Sequence, residues 1–147
     1  WEGLKCLEPE EGNYVFVHDG ARPFVTEEII RNAYEAVRVH GACVVGMPVK
    51  DTIKIADEED FAVQTPNRKT LWAVQTPQVF AELLIYKSYE KVVQSLEELK
   101  EKGIEITDDA MVVETMTSRK VKLIKGSYEN IKITTPEDIL VAQSFLK

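Results

Sequence analysis

The chain has 147 residues, 18 of them Lys or Arg against 25 Asp or Glu, for a formal charge of −7 at neutral pH; 44% are apolar and 29% charged. This composition can bury an ordinary core, which excludes a disordered tail or a disulfide miniprotein and leaves one globular domain over residues 1–147. The acidic balance excludes nonspecific binding to nucleic-acid phosphates, and the longest apolar stretches, Tyr14 to Val17 and Ala42 to Val49 with Gly46 and Pro48 inside, are too short to cross a bilayer.

The opening WEGLKCLEPEEG has neither a helical nor a strand period and begins on Trp1 rather than Met. The chain therefore reads as a C-terminal part, and whatever an N-terminal segment adds to a site lies outside it. No basic region followed by an apolar stretch opens it, and Cys6 and Cys43 make no disulfide framework. Both thiols are expected reduced, as in a cytoplasmic protein, with Cys43 in a core strand.

Tyr14 to Val17 is a continuous run of β-formers ending in His18-Asp19-Gly20, which predicts a strand buried on both faces, as in parallel sheets. Thr26 with Glu27 and Glu28 starts a helix whose Ile30, Ala33 and Val37 share a face until Gly41. Ala42 to Val49 is the next strand, so this stretch is a βαβ unit with a right-handed crossover. Thr52 to Ile55 alternate, an acidic turn follows at Asp57 to Asp60, and Phe61 to Thr65 is again strand-like. A solvated hairpin of this kind is marginal alone, so an arm over about residues 50–75 is expected to pack on its domain or reach a second subunit in a dimer.

After Thr76-Pro77-Gln78 a single long helix is predicted, with Leu83, Leu84, Val92, Leu96 and Leu99 to one side and Gly103 as its stop. Thr107 starts a shorter helix through Val113, Val121 to Lys125 is a strand, and Ile131 to Thr134 is another. Thr135 caps a last helix with Pro136 at its first position and Glu137 and Asp138 in its first turn.

The sharpest chemical element is His18-Asp19-Gly20-Ala21-Arg22-Pro23, directly after a strand. Ligand crevices of open α/β sheets lie at the carboxyl ends of strands. There, an Asp can hold Mg2+ beside phosphates and an Arg fork can grip phosphate oxygens; alternatively, Asp19 closes a turn and Arg22 pairs with it. Thr52, Arg68, Thr76, Thr107 and Lys132 stand at similar junctions, and together they suit an anionic, hydroxyl-rich ligand. Singly, Thr107 is explained as a helix cap, Arg68 as a turn residue and Lys132 as an edge-strand charge. The sequence has no Walker A loop, GxGxxG, HExxH, GxSxG or CxxC, which excludes a P-loop NTPase and a zinc enzyme. His18 beside Asp19 reads as structural rather than as a general base, which phosphoryl transfer by positioning does not need.

The motifs VHDGARPFV, PVKDTIK, NRKTLWAVQTPQVF, ITDDAMVVE and ENIKITTPEDI, in this order from Tyr14 to the C-terminus, closely resemble the 2-C-methyl-D-erythritol 4-phosphate cytidylyltransferase family of the non-mevalonate isoprenoid pathway. The resemblance implies a Rossmann-like α/β nucleotide-diphospho-sugar transferase fold with a projecting β-hairpin arm that builds a homodimer. It also implies CTP and a sugar-alcohol phosphate as ligands, with Mg2+ or another divalent cation, and neither nucleic acid nor membrane as partner. The family's N-terminal Gly-rich nucleotide loop is absent from this sequence. By resemblance Asp19 ligates the metal and meets both substrates, Gly20 or Ala21 lines the nucleotide, and Arg22, Thr76 and Thr107 hold the acceptor phosphate. Thr52 and Arg68 match positions given across the dimer interface, and Lys132 matches a lysine near the transferring α-phosphate. A sister activity on ribitol 5-phosphate and a non-catalytic interaction module are the alternative readings.

Overall fold

In the computed structural model, which describes residues 1–146, a four-stranded sheet carries the chain. Strand β1 (Tyr14–Val17) leads into α1 (Glu27–His40) and then β2 (Ala42–Pro48). Thr26 Oγ1 accepts the Ile29 N–H at the start of α1, and Gly41, at φ 76°, closes its end with an N–H to the Val37 carbonyl. Ile29, Ala33 and Val37 form the buried stripe of this helix.

The sheet is mixed rather than parallel. Its order is β1-β5-β2-β6, and the long strand β5 (Trp72–Ala81) runs antiparallel to both β1 and β2, while β6 (Lys122–Lys125) is parallel to β2. The crossover through α1 keeps β1 and β2 parallel to one another but leaves a one-strand gap, which β5 fills. β1 therefore stands at an edge among the described strands. It is half-buried, with Phe16 exposed, where burial on both faces was expected. The interior strand β2 is the one buried on both faces, with Cys43 in the core as expected. Ala42 and Val44, with Phe80 of β5, face Ile85, Val112 and Val113, whereas Cys43 and Val45, with Val79, face Ile29, Ala33 and Val37. Period-2 alternation between two apolar layers gives the uninterrupted hydrophobic run.

Thr76-Pro77-Gln78, expected only to precede the long helix, lies inside β5, with a cis peptide between Thr76 and Pro77. A proline cannot donate to the ladder. The pairing accommodates it through a register shift: Val44 pairs with Gln78 and Gly46 with Val74, so Gln75 to Pro77 oppose Val45 alone. On the other side the β1 ladder ends at Val17 opposite Gln78. The backbone of β5 at Gln75, Thr76 and Pro77 thus runs past the carboxyl end of β1 without regular strand partners.

The expected long helix is two helices, α2 (Glu82–Gln94) and α3 (Leu96–Glu101), divided at Ser95, whose ψ of 13° leaves the helical region. Serine competes with the helix for backbone hydrogen bonds, and the break buries Leu99 while Leu96 stays exposed. Helix α4 runs Asp109–Met116, and its cap is Asp108, whose Oδ1 accepts the Met111 N–H at 2.8 Å; Thr107 precedes the cap. The segment Ile131–Thr134 is not a strand. It crosses the end of the sheet with one backbone bond, Ile133 N–H to the Ala21 carbonyl at 2.8 Å, because its neighbour there is the bend after β1 rather than a strand edge. The final helix α5 (Pro136–Phe145) begins as the sequence predicts, the Asp138 carboxylate accepting from the N–H groups of Thr134 and Thr135. The hairpin is present as two short strands, β3 (Ile55–Ala56) and β4 (Ala62–Gln64), exposed along their length. No helix among the described residues is long and apolar enough to cross a membrane.

Candidate active site

Where β1 ends, the chain bends through Asp19 to Arg22, and the Arg22 N–H returns to the Asp19 carbonyl at 3.0 Å. The bend is held to β5 by one hydroxyl. Thr76 Oγ1 accepts the Asp19 N–H at 3.0 Å and lies 2.9 Å from His18 Nδ1, while His18 Nε2 lies 3.1 Å from the Arg22 carbonyl oxygen. That carbonyl can only accept, so the network assigns the ring proton to Nε2, and Nδ1 accepts from the Thr76 hydroxyl. His18 is therefore a strut of the bend, as the sequence suggests.

The Asp19 carboxylate takes two cations on one oxygen. Arg22 Nε lies 3.2 Å and Lys132 Nζ 3.3 Å from Oδ2. Burial alone would raise the Asp19 carboxyl, but hydrogen bonds and charge from Lys132 and Arg22 outweigh it and hold the group below its ordinary value. It is ionised at neutral pH, and Oδ1 takes no protein hydrogen bond among the described residues. Arg22 is the more buried partner, with 13% of its side chain exposed against 48% for Lys132. Its Nη1 donates to the Asn130 carbonyl at 2.8 Å, which leaves Nη2 without a protein acceptor among the described residues.

These groups line a cleft of about 320 Å³ walled by Val17, Asp19, Arg22, Thr76, Thr107 and Lys132. Asp108 and Asp109 line it as well, but they accept from Gln78, the Met111 N–H and Tyr89, so Arg22 and Lys132, with the two threonine hydroxyls, are the groups it turns toward an anion. Thr107 belongs to the opposite wall, just ahead of α4. That wall is clamped to β5 by the buried Gln78, whose Nε2 donates to Asp108 Oδ2 at 3.0 Å and whose Oε1 accepts the Ala110 N–H at 2.8 Å. Tyr89 donates to Asp109 behind it, and burial with that carboxylate pushes the phenol upward.

Five of the residues that the sequence singles out thus converge: Asp19, Arg22, Thr76, Thr107 and Lys132. Gly20 and Ala21 form the bend itself, Gly20 exposed and the Ala21 carbonyl engaged by Ile133. Thr52 and Arg68 do not line the cleft. Thr52 is exposed between β2 and β3, and Arg68 donates through Nη1 to the Lys50 carbonyl at 2.6 Å. Sequence reasoning missed Gln78 and Asn130. A glutamine directly before the apolar run Val79-Phe80-Ala81 was a signal that could have found Gln78, whereas nothing local marks Asn130 as buried.

As a metal site, the cleft offers Asp19 Oδ1; Asp108 is bonded through both oxygens and Asp109 through Oδ1, and the described residues contain no cluster of three or more His, Cys, Asp or Glu able to hold an ion. One free carboxylate oxygen fits a Mg2+ that draws its remaining ligands from phosphates and water.

A model of the family described as 2-C-methyl-D-erythritol 4-phosphate cytidylyltransferase (IspD) matches residues 1–147. The chain is 53% identical over 147 residues to the enzyme of that name from Caldanaerobacter subterraneus subsp. tengcongensis, covering 100% of this chain and 61% of that one. It is 48% identical to the one from Lachnospira eligens, again over the whole chain and 62% of the relative. Among solved structures, the 4-diphosphocytidyl-2C-methyl-D-erythritol synthase from Anaerococcus prevotii superposes with a TM-score of 0.85 at 41% identity, over 99% of this chain and 63% of that one. The cytidylyltransferase from Thermus thermophilus gives 0.79 at 31% identity, over 99% and 66%. The chain thus spans about 60% of the length of the curated relatives it matches.

Proposed function

Since the chain belongs to the 2-C-methyl-D-erythritol 4-phosphate cytidylyltransferase family, we propose that its cleft serves the transfer of CMP from CTP to 2-C-methyl-D-erythritol 4-phosphate. A phosphate oxygen of the acceptor forms a bond to the α-phosphorus of CTP, the bond from that phosphorus to the bridging oxygen breaks, and pyrophosphate leaves with the electron pair. The products are 4-diphosphocytidyl-2-C-methyl-D-erythritol and pyrophosphate.

One observation carries the reading. At the carboxyl end of the sheet a guanidinium and an ammonium share the carboxylate of Asp19, with the hydroxyls of Thr76 and Thr107 in the same cleft. Two anions must be brought in line, and a phosphate monoester needs no activated protein nucleophile once the repulsion is offset. Arg22 Nη2 and the Thr107 hydroxyl hold the acceptor phosphate, and the Thr76 hydroxyl joins them by turning its one proton from His18 Nδ1 to a phosphate oxygen. Lys132, the more exposed cation, meets the charge that develops at the α-phosphate. Mg2+ beside Asp19 Oδ1 would neutralise further phosphate charge. Gly20 and Ala21 offer the backbone of the bend to the nucleotide.

The same reading gives the hairpin the role of a homodimer arm, through which Thr52 and Arg68 reach a partner's cleft, and a cytoplasmic location. That neither lines the cleft of its own chain, and that β3 and β4 are exposed, support that role.

The test is pyrophosphate release by the full-length protein with CTP and Mg2+, offering methylerythritol phosphate and ribitol 5-phosphate separately. Release with methylerythritol phosphate alone supports the proposal. Release with ribitol phosphate alone transfers the cleft to a sister reaction, and silence with both removes the catalytic reading.

A further inference from the structure

We propose that Asn130 is the positioning residue that sets the geometry of the cleft's anion grip, acting through Arg22 and Thr76; its part in turnover rests on the reaction proposed above. Asn130 is fully buried and touches each half of the grip by a different group. Its backbone carbonyl accepts Arg22 Nη1 at 2.8 Å, and its side-chain Nδ2 donates to the Thr76 carbonyl at 2.9 Å and to Gln75 Oε1 at 3.4 Å.

Both contacts stand where the fold supplies nothing else. Arg22 meets Asp19 through Nε alone, and one bond leaves a guanidinium free to swing about it. The second anchor, at Asn130, fixes its plane and turns Nη2 outward. Thr76 lies in the stretch of β5 where the register shift and the end of β1 remove the regular ladder. The Asn130 amide takes the place of the missing strand partner at the Thr76 carbonyl, and it holds the backbone from which the Thr76 hydroxyl reaches the Asp19 N–H and His18 Nδ1. Lys132 follows two residues later on the segment that this anchor begins, and the Ile133 N–H then pins that segment to Ala21. Three prospective anion contacts therefore converge on one side chain and its backbone.

Stability alone does not account for an asparagine here. Among the described residues its Oδ1 is buried without a protein partner, and an unmet buried acceptor is destabilising. A Gln75 amide with a second bond, Nε2 to the Ser127 carbonyl at 2.8 Å, already ties β5 to this loop. The additional amide serves the local direction of Thr76 and Arg22.

The experiment uses the full-length protein, its Asn130→Ala and Asn130→Asp variants, and sulfate as a probe anion of constant charge, with binding read by calorimetry and folding by thermal melts. Turnover with CTP and methylerythritol phosphate is measured in parallel. Asn130→Ala is expected to weaken sulfate binding about tenfold and to raise the acceptor KM by a similar factor, more than it lowers kcat. Asn130→Asp preserves the shape and, when protonated, donates to the Thr76 carbonyl in place of Nδ2. Its sulfate affinity should therefore recover toward wild type as the pH falls, while the alanine variant shows no such recovery. Should Asn130→Ala fail to fold, the pH dependence of Asn130→Asp against wild type decides alone. Variants that melt cooperatively and bind sulfate as wild type does overturn the inference, as does a wild-type protein that binds no sulfate. A wild type that binds sulfate but does not turn over methylerythritol phosphate overturns the proposed reaction and leaves the role of Asn130 to the binding data.

Discussion

Replacing Lys132 by alanine separates its two conceivable roles by size. As a structural ion pair, its ammonium lies 3.3 Å from Asp19 Oδ2 with 48% of the lysine side chain and 33% of the aspartate exposed. A pair so open to water contributes about 0–1 kcal/mol, so its loss lowers the melting temperature by roughly 4 °C at most for a domain of this size. As the cation that meets charge developing at the transferring phosphate, it belongs with preorganised donors whose removal costs about 100- to 1,000-fold in kcat. Full-length wild type, Lys132→Ala and Lys132→Arg should be compared by pyrophosphate release at saturating CTP and acceptor, with melts alongside. The expected result for Lys132→Ala is a kcat loss of about two orders of magnitude or more with KM changed far less and a small melting shift. The pH dependence adds a check of sign. Lys132 is the strongest of the influences that lower the Asp19 carboxyl, and a lowered carboxyl stabilises the fold above its unfolded value and ceases to do so as the pH falls through the folded one. The stability penalty of Lys132→Ala seen at neutral pH should therefore shrink in acid, below the ordinary value of 3.8. A kcat unchanged within about threefold would refute the transition-state role and reduce Lys132 to a partner of Asp19.

The legible part of this fold is the part set by local periodicity. Two apolar layers forced the run Ala42 to Val45, and the helix ends at Thr26, Gly41 and Pro136 follow from caps that need no tertiary context. What the residues alone did not disclose is the sheet's central partner β5, because Thr76-Pro77-Gln78 carries the chemistry of a turn and only the compensating shift on β2 makes it a strand. That omission also concealed how the site is built. The same ten-residue strand delivers Thr76 to the cleft, Gln78 to the start of α4 and Gln75 to Asn130. Without it, Asp19, Arg22, Thr107 and Lys132 are an inventory of loop ends. With it, they become the walls of one cleft. Asn130 stayed hidden for a related reason: its burial is imposed by contacts 54, 55 and 108 residues away in sequence, at Thr76, Gln75 and Arg22, which no pattern near position 130 encodes.

The remaining expectations test the scaffold around the cleft. Burial pushes the Cys43 thiol up to about 12, so a maleimide with peptide mapping should label the exposed Cys6 in the native protein and reach Cys43 only on unfolding; rapid native labelling of Cys43 contradicts its place in the core. Because that value is raised from 9.0 and the Tyr89 phenol is pushed upward as well, both groups favour the folded state while neutral. Stability in urea melts should then decline as the pH rises above about 9, and a flat profile to pH 11 would show that neither group is held as described. At Gly126 an added Cβ would stand 2.5 Å from both Val45 Cγ1 and Gln75 Oε1, so Gly126→Ala should cost about 1–3 kcal/mol in denaturant melts. Gln78→Ala reaches the site from the other wall. It leaves Asp108 Oδ2 and the Ala110 N–H without their partner in a buried setting, a loss of about 1–3 kcal/mol in stability. Because Asp108 Oδ1 still caps α4 through Met111, the helix should persist while Thr107 loses its fixed approach to the cleft. The acceptor KM is thus expected to rise while the CTP KM moves less. Equal rises in both would mean that Gln78 supports the whole sheet end rather than the wall that carries Thr107.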